Sequence, residues 1–211
     1  MMTIAETAHT VARPSLSATR RFRRDEGASL SVEAALIAPL LFWAFLATYT
    51  YFDAYRVKNL SLKANYAISD LLSRETNVID INYITGSKNL FRYLTKSDSS
   101  AWVRVSVVHC VDGCAVKGGD NTGPRELAAD WSRASDDIPI LSDADINDQL
   151  DSAIPLIASG ERVIIVETAM HYQPAFSPTL TGIGDQTFNE IVMTRPRFAS
   201  QLCFAGVGCG V

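Results

Sequence analysis

The sequence predicts an α+β fold: a long N-terminal helix, hydrophobic and then amphipathic, packed on a small antiparallel β-sheet. Three observations carry this. Residues 34–52 contain no Asp, Glu, Lys or Arg. Apolar residues then continue at spacings of three and four, through Val57, Leu60, Ala64, Ala67, Ile68 and Leu71, the period of a helix with one buried face. In the second half, three short runs are dense in β-branched residues: Ala101–Cys110, Arg162–Tyr172 and Thr187–Thr194.

The N-terminal segment is basic. Arg13, Arg20, Arg21, Arg23 and Arg24 precede the apolar run, and no lysine occurs before Lys58. The run itself holds Ala34, Leu36, Ile37, Pro39, Leu40, Leu41, Phe42, Trp43, Phe45 and Leu46. As a helix, its charge-free stretch would span about 29 Å, close to the thickness of a hydrocarbon core. Pro39 can kink such a helix without ending it. The arginine cluster predicts a cytoplasmic N-terminus in the inner membrane, with everything after Asp53 outside. Tyr49, Tyr51, Phe52 and Tyr55 gather at the far end of the run, where aromatic rings favour the membrane interface. Two rival readings are a buried core helix and a cleaved signal peptide, the latter with Ala44 and Ala47 as a weak cleavage signature. Glu33 stands at the start of the run, where a carboxylate needs headgroup level or a partner.

Beyond the membrane segment the helix is expected to continue to about Arg74, with Lys58, Lys63, Asn65 and Asp70 on its other faces. The valines at 103, 105 and 107 alternate on one side of the first strand run. Gln173-Pro174 and Ser177-Pro178 break the chain between the last two runs, a link short enough to join antiparallel strands. Residues 142–159 read as a helix with Ser142 as its cap, and residues 111–137 as an irregular Gly- and Asp-rich loop. Residues 54–211 carry 14 basic and 18 acidic side chains, an acidic balance that argues against nucleic acid as a partner.

Cys110, Cys114, Cys203 and Cys209 all follow the membrane segment. An even count in an oxidising compartment predicts two disulfides. Local pairing and cross-pairing between the two regions both remain open, and a zinc site is the rival use, with looser spacing than structural zinc prefers. No metal or cofactor is expected. His109 sits beside Cys110, but neighbouring strand residues point to opposite faces, which separates them as a catalytic pair. The aspartates of residues 136–151 lack the spacing of a calcium loop. No nucleophile elbow, P-loop or metalloprotease motif occurs, so no small-molecule substrate and no enzyme activity are expected.

The segment RRFRRDEG-ASLSVEAALIAPLLFW resembles the N-termini of TadE-like proteins, the minor pilins or pseudopilins of the tight-adherence (Tad, or Flp) pilus system. The segments ERVIIVETAMHYQP and EIVMTRPRF are similar to that family's distal strands, which end in an Arg-Pro-Arg signature, here Arg195, Pro196 and Arg197. The resemblance covers about a third of the chain. It implies a pilin-like fold with three parts: a cytoplasmic leader over 1–27, a membrane helix and stem over 28–75, and an extracytoplasmic head over 76–211. It implies cleavage by a prepilin peptidase between Gly27 and Ala28, and pairing of Glu33 with a neighbouring subunit's free amine. Glu33 is the sixth residue after Gly27, one beyond the family's fifth. The function implied is pilus biogenesis and surface adhesion, with other pilin subunits and the Tad assembly platform as partners. The Arg-Pro-Arg end fits either a structural strand exit or a docking patch. An uncleaved inner-membrane scaffold, and less so a tethered extracytoplasmic enzyme, are the alternatives.

Overall fold

The computed structural model describes residues 27–97, 100–114, 125–207 and 209. The basic leader lies outside the described residues, apart from Gly27. The chain divides into two compact units, up to Thr48 and from Tyr49 onward. Helix α1, Gly27–Arg74, supplies all the described residues of the first unit and opens the second. Pro39 lies within it, and the helix continues past the missing N–H.

The second unit is α+β, as the sequence predicts. Helix α2 (Ile81–Thr95) follows α1, and strands β1 (Trp102–Asp112) and β2 (Glu126–Ala134) come next. Helix α3 (Asp143–Asp145) runs into a wider π turn at Ile146–Leu150. Strand β3 (Arg162–Tyr172), the short helix α4 (Pro178–Thr181) and strand β4 (Gln186–Thr194) complete the fold. The four strands are antiparallel in the order β2-β1-β3-β4. The three predicted strands are β1, β3 and β4.

At four places the structure differs from the sequence reading or adds to it. Strand β2 occupies part of the predicted 111–137 loop. It is an edge strand, and its outer backbone groups are covered by side chains. Asn147 accepts from the Leu127 amide at 2.9 Å and donates to the Leu127 carbonyl at 2.7 Å, while Asp143 accepts from the Ala129 amide at 2.8 Å. Covering an edge in this way removes the unpaired ladder groups that invite aggregation. Secondly, the helix predicted over 142–159 is short. Ser142 does cap it, in a reciprocal capping box with Asp145, but the coil ends at Leu150. There Arg125 takes over the carbonyls of Asp151, Ile154 and Pro155, and its Nε meets Asp151 Oδ1 at 2.7 Å.

Thirdly, α2 went unassigned in the sequence. Asp80 caps it by accepting from the Tyr83 amide at 2.9 Å, and Lys96 closes it in a left-handed conformation with φ 54°. Its buried side is Ile84, Ser87, Phe91 and Thr95. Fourthly, the buried face of α1 is rotated from the predicted stripe. Ile68 and Ala64 are buried as expected, but Ala67 and Leu71 are exposed and Leu72 is buried. Asn65, expected on a face other than the apolar stripe, is fully buried.

The sheet is covered on both faces. On one, Ala64, Ile68 and Leu72 of α1 and Ile84 and Phe91 of α2 meet Val103, Val105, Val107, Ile164 and Val166. On the other, Val108, Val163 and Ile165 meet Leu141, Ile146, Leu150, Ile154 and Ile157. Burial on both sides explains why β3 reads as a continuous apolar run and not as an alternating one. The C-terminal segment returns to this core. Leu202 and Phe204 are buried, the Trp131 indole donates to the Leu202 carbonyl at 2.8 Å, and Ile79 pairs with Phe204 as a parallel bridge.

Candidate functional site

The membrane-length segment comes first in the chain. Among the described residues one helix is long and apolar enough to cross a membrane. Ala34, Pro39, Leu36, Ile37, Leu40, Leu41, Phe42, Trp43 and Phe45 are all exposed, with Leu36 at 73 % and Phe45 at 66 %, whereas Leu46 is buried. Large apolar side chains left in this state over several turns need a non-aqueous environment or a partner. Glu33 is exposed near the start of this stretch. Gly27 and Ala28 form the first turn of α1.

The second feature is the band that follows. Tyr49, Tyr51, Phe52 and Tyr55 are each at least half exposed. Tyr49 meets Phe176 edge-on, with ring centroids 5.9 Å apart. Asp53, the first carboxylate after the apolar run, accepts from the Tyr172 hydroxyl at 2.9 Å. Burial, with Asp53 beside it, pushes the Tyr172 phenol up to about 12. Tyr172 in turn stacks on Phe188 at 5.5 Å. Tyr51, Ala54, Tyr55 and Lys58 of α1 then line a cleft of about 310 Å³ with Gly182, Ile183, Gly184, Gln186 and Phe188. No single motif marks this site in the sequence, because its walls lie more than a hundred residues apart.

A third feature fixes α1 to the sheet. Ser61, Asn65, Ser69 and Ser73 recur at every fourth position and are all buried. Asn65 donates to the carbonyls of Val166 and Glu190.

The four cysteines form two local disulfides, Cys110–Cys114 and Cys203–Cys209, so of the two pairings left open the local one is present. The Arg195-Pro196-Arg197 segment is engaged with acids. Arg195 meets Glu161 at 2.8 Å and donates to the Leu156 carbonyl, while Arg197 lies 3.3 Å from Asp70. The Arg197 amide also donates to the Ser73 carbonyl at 2.8 Å, satisfying one of the carbonyls that the end of α1 leaves open.

His109 and Cys110 do not act together, since Cys110 is bonded to Cys114. His109 Nδ1 instead lies 3.0 Å from Asp130, which also meets Arg162 at 3.2 Å. Asp130 is the extra residue of a β-bulge opposite Val107 and Val108, which turns it toward these partners. His171 lies 3.8 Å from Asp185. No group of three or more His, Cys, Asp or Glu side chains among the described residues is placed to hold a metal ion. Comparison with protein-family models, with curated proteins and with solved structures gives no match for this chain.

Proposed function

We propose that this chain is a non-enzymatic, membrane-anchored subunit of a Tad-type pilus machine, a minor pilin or pseudopilin of the TadE-like kind. The observation that carries the reading is α1. One uninterrupted helix supplies both an exposed apolar stretch of membrane length and a face buried on a β-sheet. A simple tether requires the first but not the second. The resemblance of the Gly27–Glu33 region and of the Arg195-Pro196-Arg197 end to that family supports the same conclusion. The head works by presenting surfaces for assembly, and the apolar helix works by packing against other subunits in lipid.

The arginines before Gly27 support a cytoplasmic N-terminus in the inner membrane. Two disulfides support an extracytoplasmic, oxidising setting for the head. Glu33, as the lone charged side chain between Leu30 and Phe52, then calls for a counter-charge wherever it sits in lipid. The ammonium freed by cleavage after Gly27 in a neighbouring subunit is suited to that role.

The test is the N-terminus of the native protein, determined by mass spectrometry from cells with an active prepilin peptidase. A mature chain starting at Ala28, found in sheared fibres, is the expected result. A chain that keeps its leader and stays in the membrane fraction supports the second reading, an uncleaved envelope scaffold. The offset of Glu33 by one position from the family pattern is the observation that favours that alternative.

A further inference from the structure

We propose that the cleft between α1 and the α4–β4 turn binds the phosphate-bearing headgroup of an anionic phospholipid, in the leaflet on the head's side. This rests on the membrane-anchored reading above and names a ligand for a site which that reading leaves unassigned.

The lining sets the chemistry. Ala54, buried and with only a methyl group, takes up little space in the lining. Tyr51 and Tyr55 of α1 and Phe188 of β4 give the lining its aromatic surface, and Phe188 is held in place by its stacking on Tyr172. Gly182 ends α4 with φ 77°, and a side chain added there would meet nothing within 4 Å, so the mouth stays open. Lys58 and Gln186 supply the polar groups. Lys58 makes no ion pair among the described residues. The two acids next to the lining are turned elsewhere: Asp53 accepts from Tyr172, and Asp185 lies against His171. An ammonium without a carboxylate, in a lining that is otherwise aromatic in large part, suits a ligand that joins a phosphate to an apolar body.

Position along α1 selects the lipid over a soluble phosphate ester. Phe52 ends the charge-free run, and Lys58 follows six residues later, about 9 Å of helical rise. The headgroup layer extends roughly 5–8 Å beyond the hydrocarbon on each side. Helical side chains lean toward the N-terminus, so Lys58 leans back toward Phe52 and into that layer. Tyr51 and Tyr55 are the residue type that partitions to the same depth.

The experiment is native mass spectrometry of the full-length protein in detergent with equimolar phosphatidylglycerol and phosphatidylcholine. The expected result is a preference for phosphatidylglycerol. Lys58→Gln should reduce it about fivefold, the effect of one lysine near an anionic surface, and Gln186→Trp should reduce it by filling the mouth. Lys63→Gln, exposed on the same helix but outside the cleft, should leave it unchanged. Equal binding of the two lipids, or a preference that survives both cleft variants, overturns the proposal. So do adducts of added inorganic phosphate without lipid selectivity. A dimer that Gln186→Trp abolishes while lipid adducts persist assigns the cleft to a second copy and also overturns it. Alkaline carbonate extraction separates the two levels. Release of the protein from membranes defeats the anchored reading itself, whereas a protein that stays in the pellet but lacks lipid preference defeats only the cleft assignment.

Discussion

Asn65 on α1 donates its side-chain amide to the carbonyl of Val166 on β3, 3.2 Å away and 101 positions later in the chain. The same amide reaches the Glu190 carbonyl on β4 at 2.9 Å. One polar residue therefore bridges a helix and two strands from within the apolar core. Asn65→Ala removes the donor from both acceptors in a buried setting, at a cost of about 1–3 kcal/mol. Asn65→Asp is expected to cost more, because it sets a carboxylate against two carbonyl oxygens. Thermal unfolding of the detergent-solubilised full chain should fall in the order wild type, Asn65→Ala, Asn65→Asp, by roughly 2–4 °C per kcal/mol. An alanine variant as stable as the wild type would show that the bridge contributes nothing.

Asn65 also marks the limit of what the sequence discloses. Strands β1, β3 and β4 were legible because β-branched residues crowd them, and α1 because it carries no charge over five turns and its one proline, Pro39, does not end it. The orientation of α1 was not legible. Its buried face alternates apolar residues with Ser61, Asn65, Ser69 and Ser73, and a hydrophobicity pattern assigns such residues to solvent. Strand β2, with the sequence ELAADWSRA, has no β-branched residue. It is held by partners distant in sequence: Asn147, Asp143 and the core around Trp131. Helix α2 has a cap signal at Asp80 and a spaced face at Ile84, Ser87 and Phe91, but Gly86 and its β-branched residues obscure both. The cysteine spacing could not select a pairing, because loops of either size close readily.

Arg104 and Glu167 sit directly opposite each other on β1 and β3 and form a two-pronged ion pair at 2.6 and 2.8 Å. Both side chains are largely buried, at 14 % and 9 % exposure. Removing one partner strands the other charge away from water, so Arg104→Met or Glu167→Leu alone should cost about 3–5 kcal/mol. The double variant replaces both by apolar groups and should recover most of that loss. A double-mutant cycle by denaturant unfolding checks this; two single effects that simply add would refute the coupling.

Acid should weaken the head through carboxylates that their partners hold ionised, three aspartates among them. Lys88 beside Asp136, the Tyr83 amide at Asp80 and the Ser142 hydroxyl at Asp145 each hold a carboxyl below its usual value of 3.8. A depressed folded-state value means that the stabilisation is complete above the unfolded value and is lost as pH falls through the folded one. The unfolding midpoint should therefore hold steady above about pH 5 and decline below about pH 4. Asp136→Asn should be less stable than the wild type at neutral pH and should lose less on acidification. Parallel curves for the two proteins would assign the acid sensitivity to other groups.

Gly86 offers a change in the opposite direction. It lies in the interior of α2, exposed, and a Cβ placed on it would meet nothing within 4 Å. Its φ is not positive, so an L side chain meets no backbone strain there. Alanine at such a site restricts the unfolded chain and favours the helix, by about 0.5–1 kcal/mol. Gly86→Ala should raise the unfolding midpoint by a few degrees and leave membrane extraction unchanged, because α2 contributes nothing to the apolar segment. A midpoint that stays level or falls would show that backbone entropy and helix propensity at this position do not limit the stability of the head.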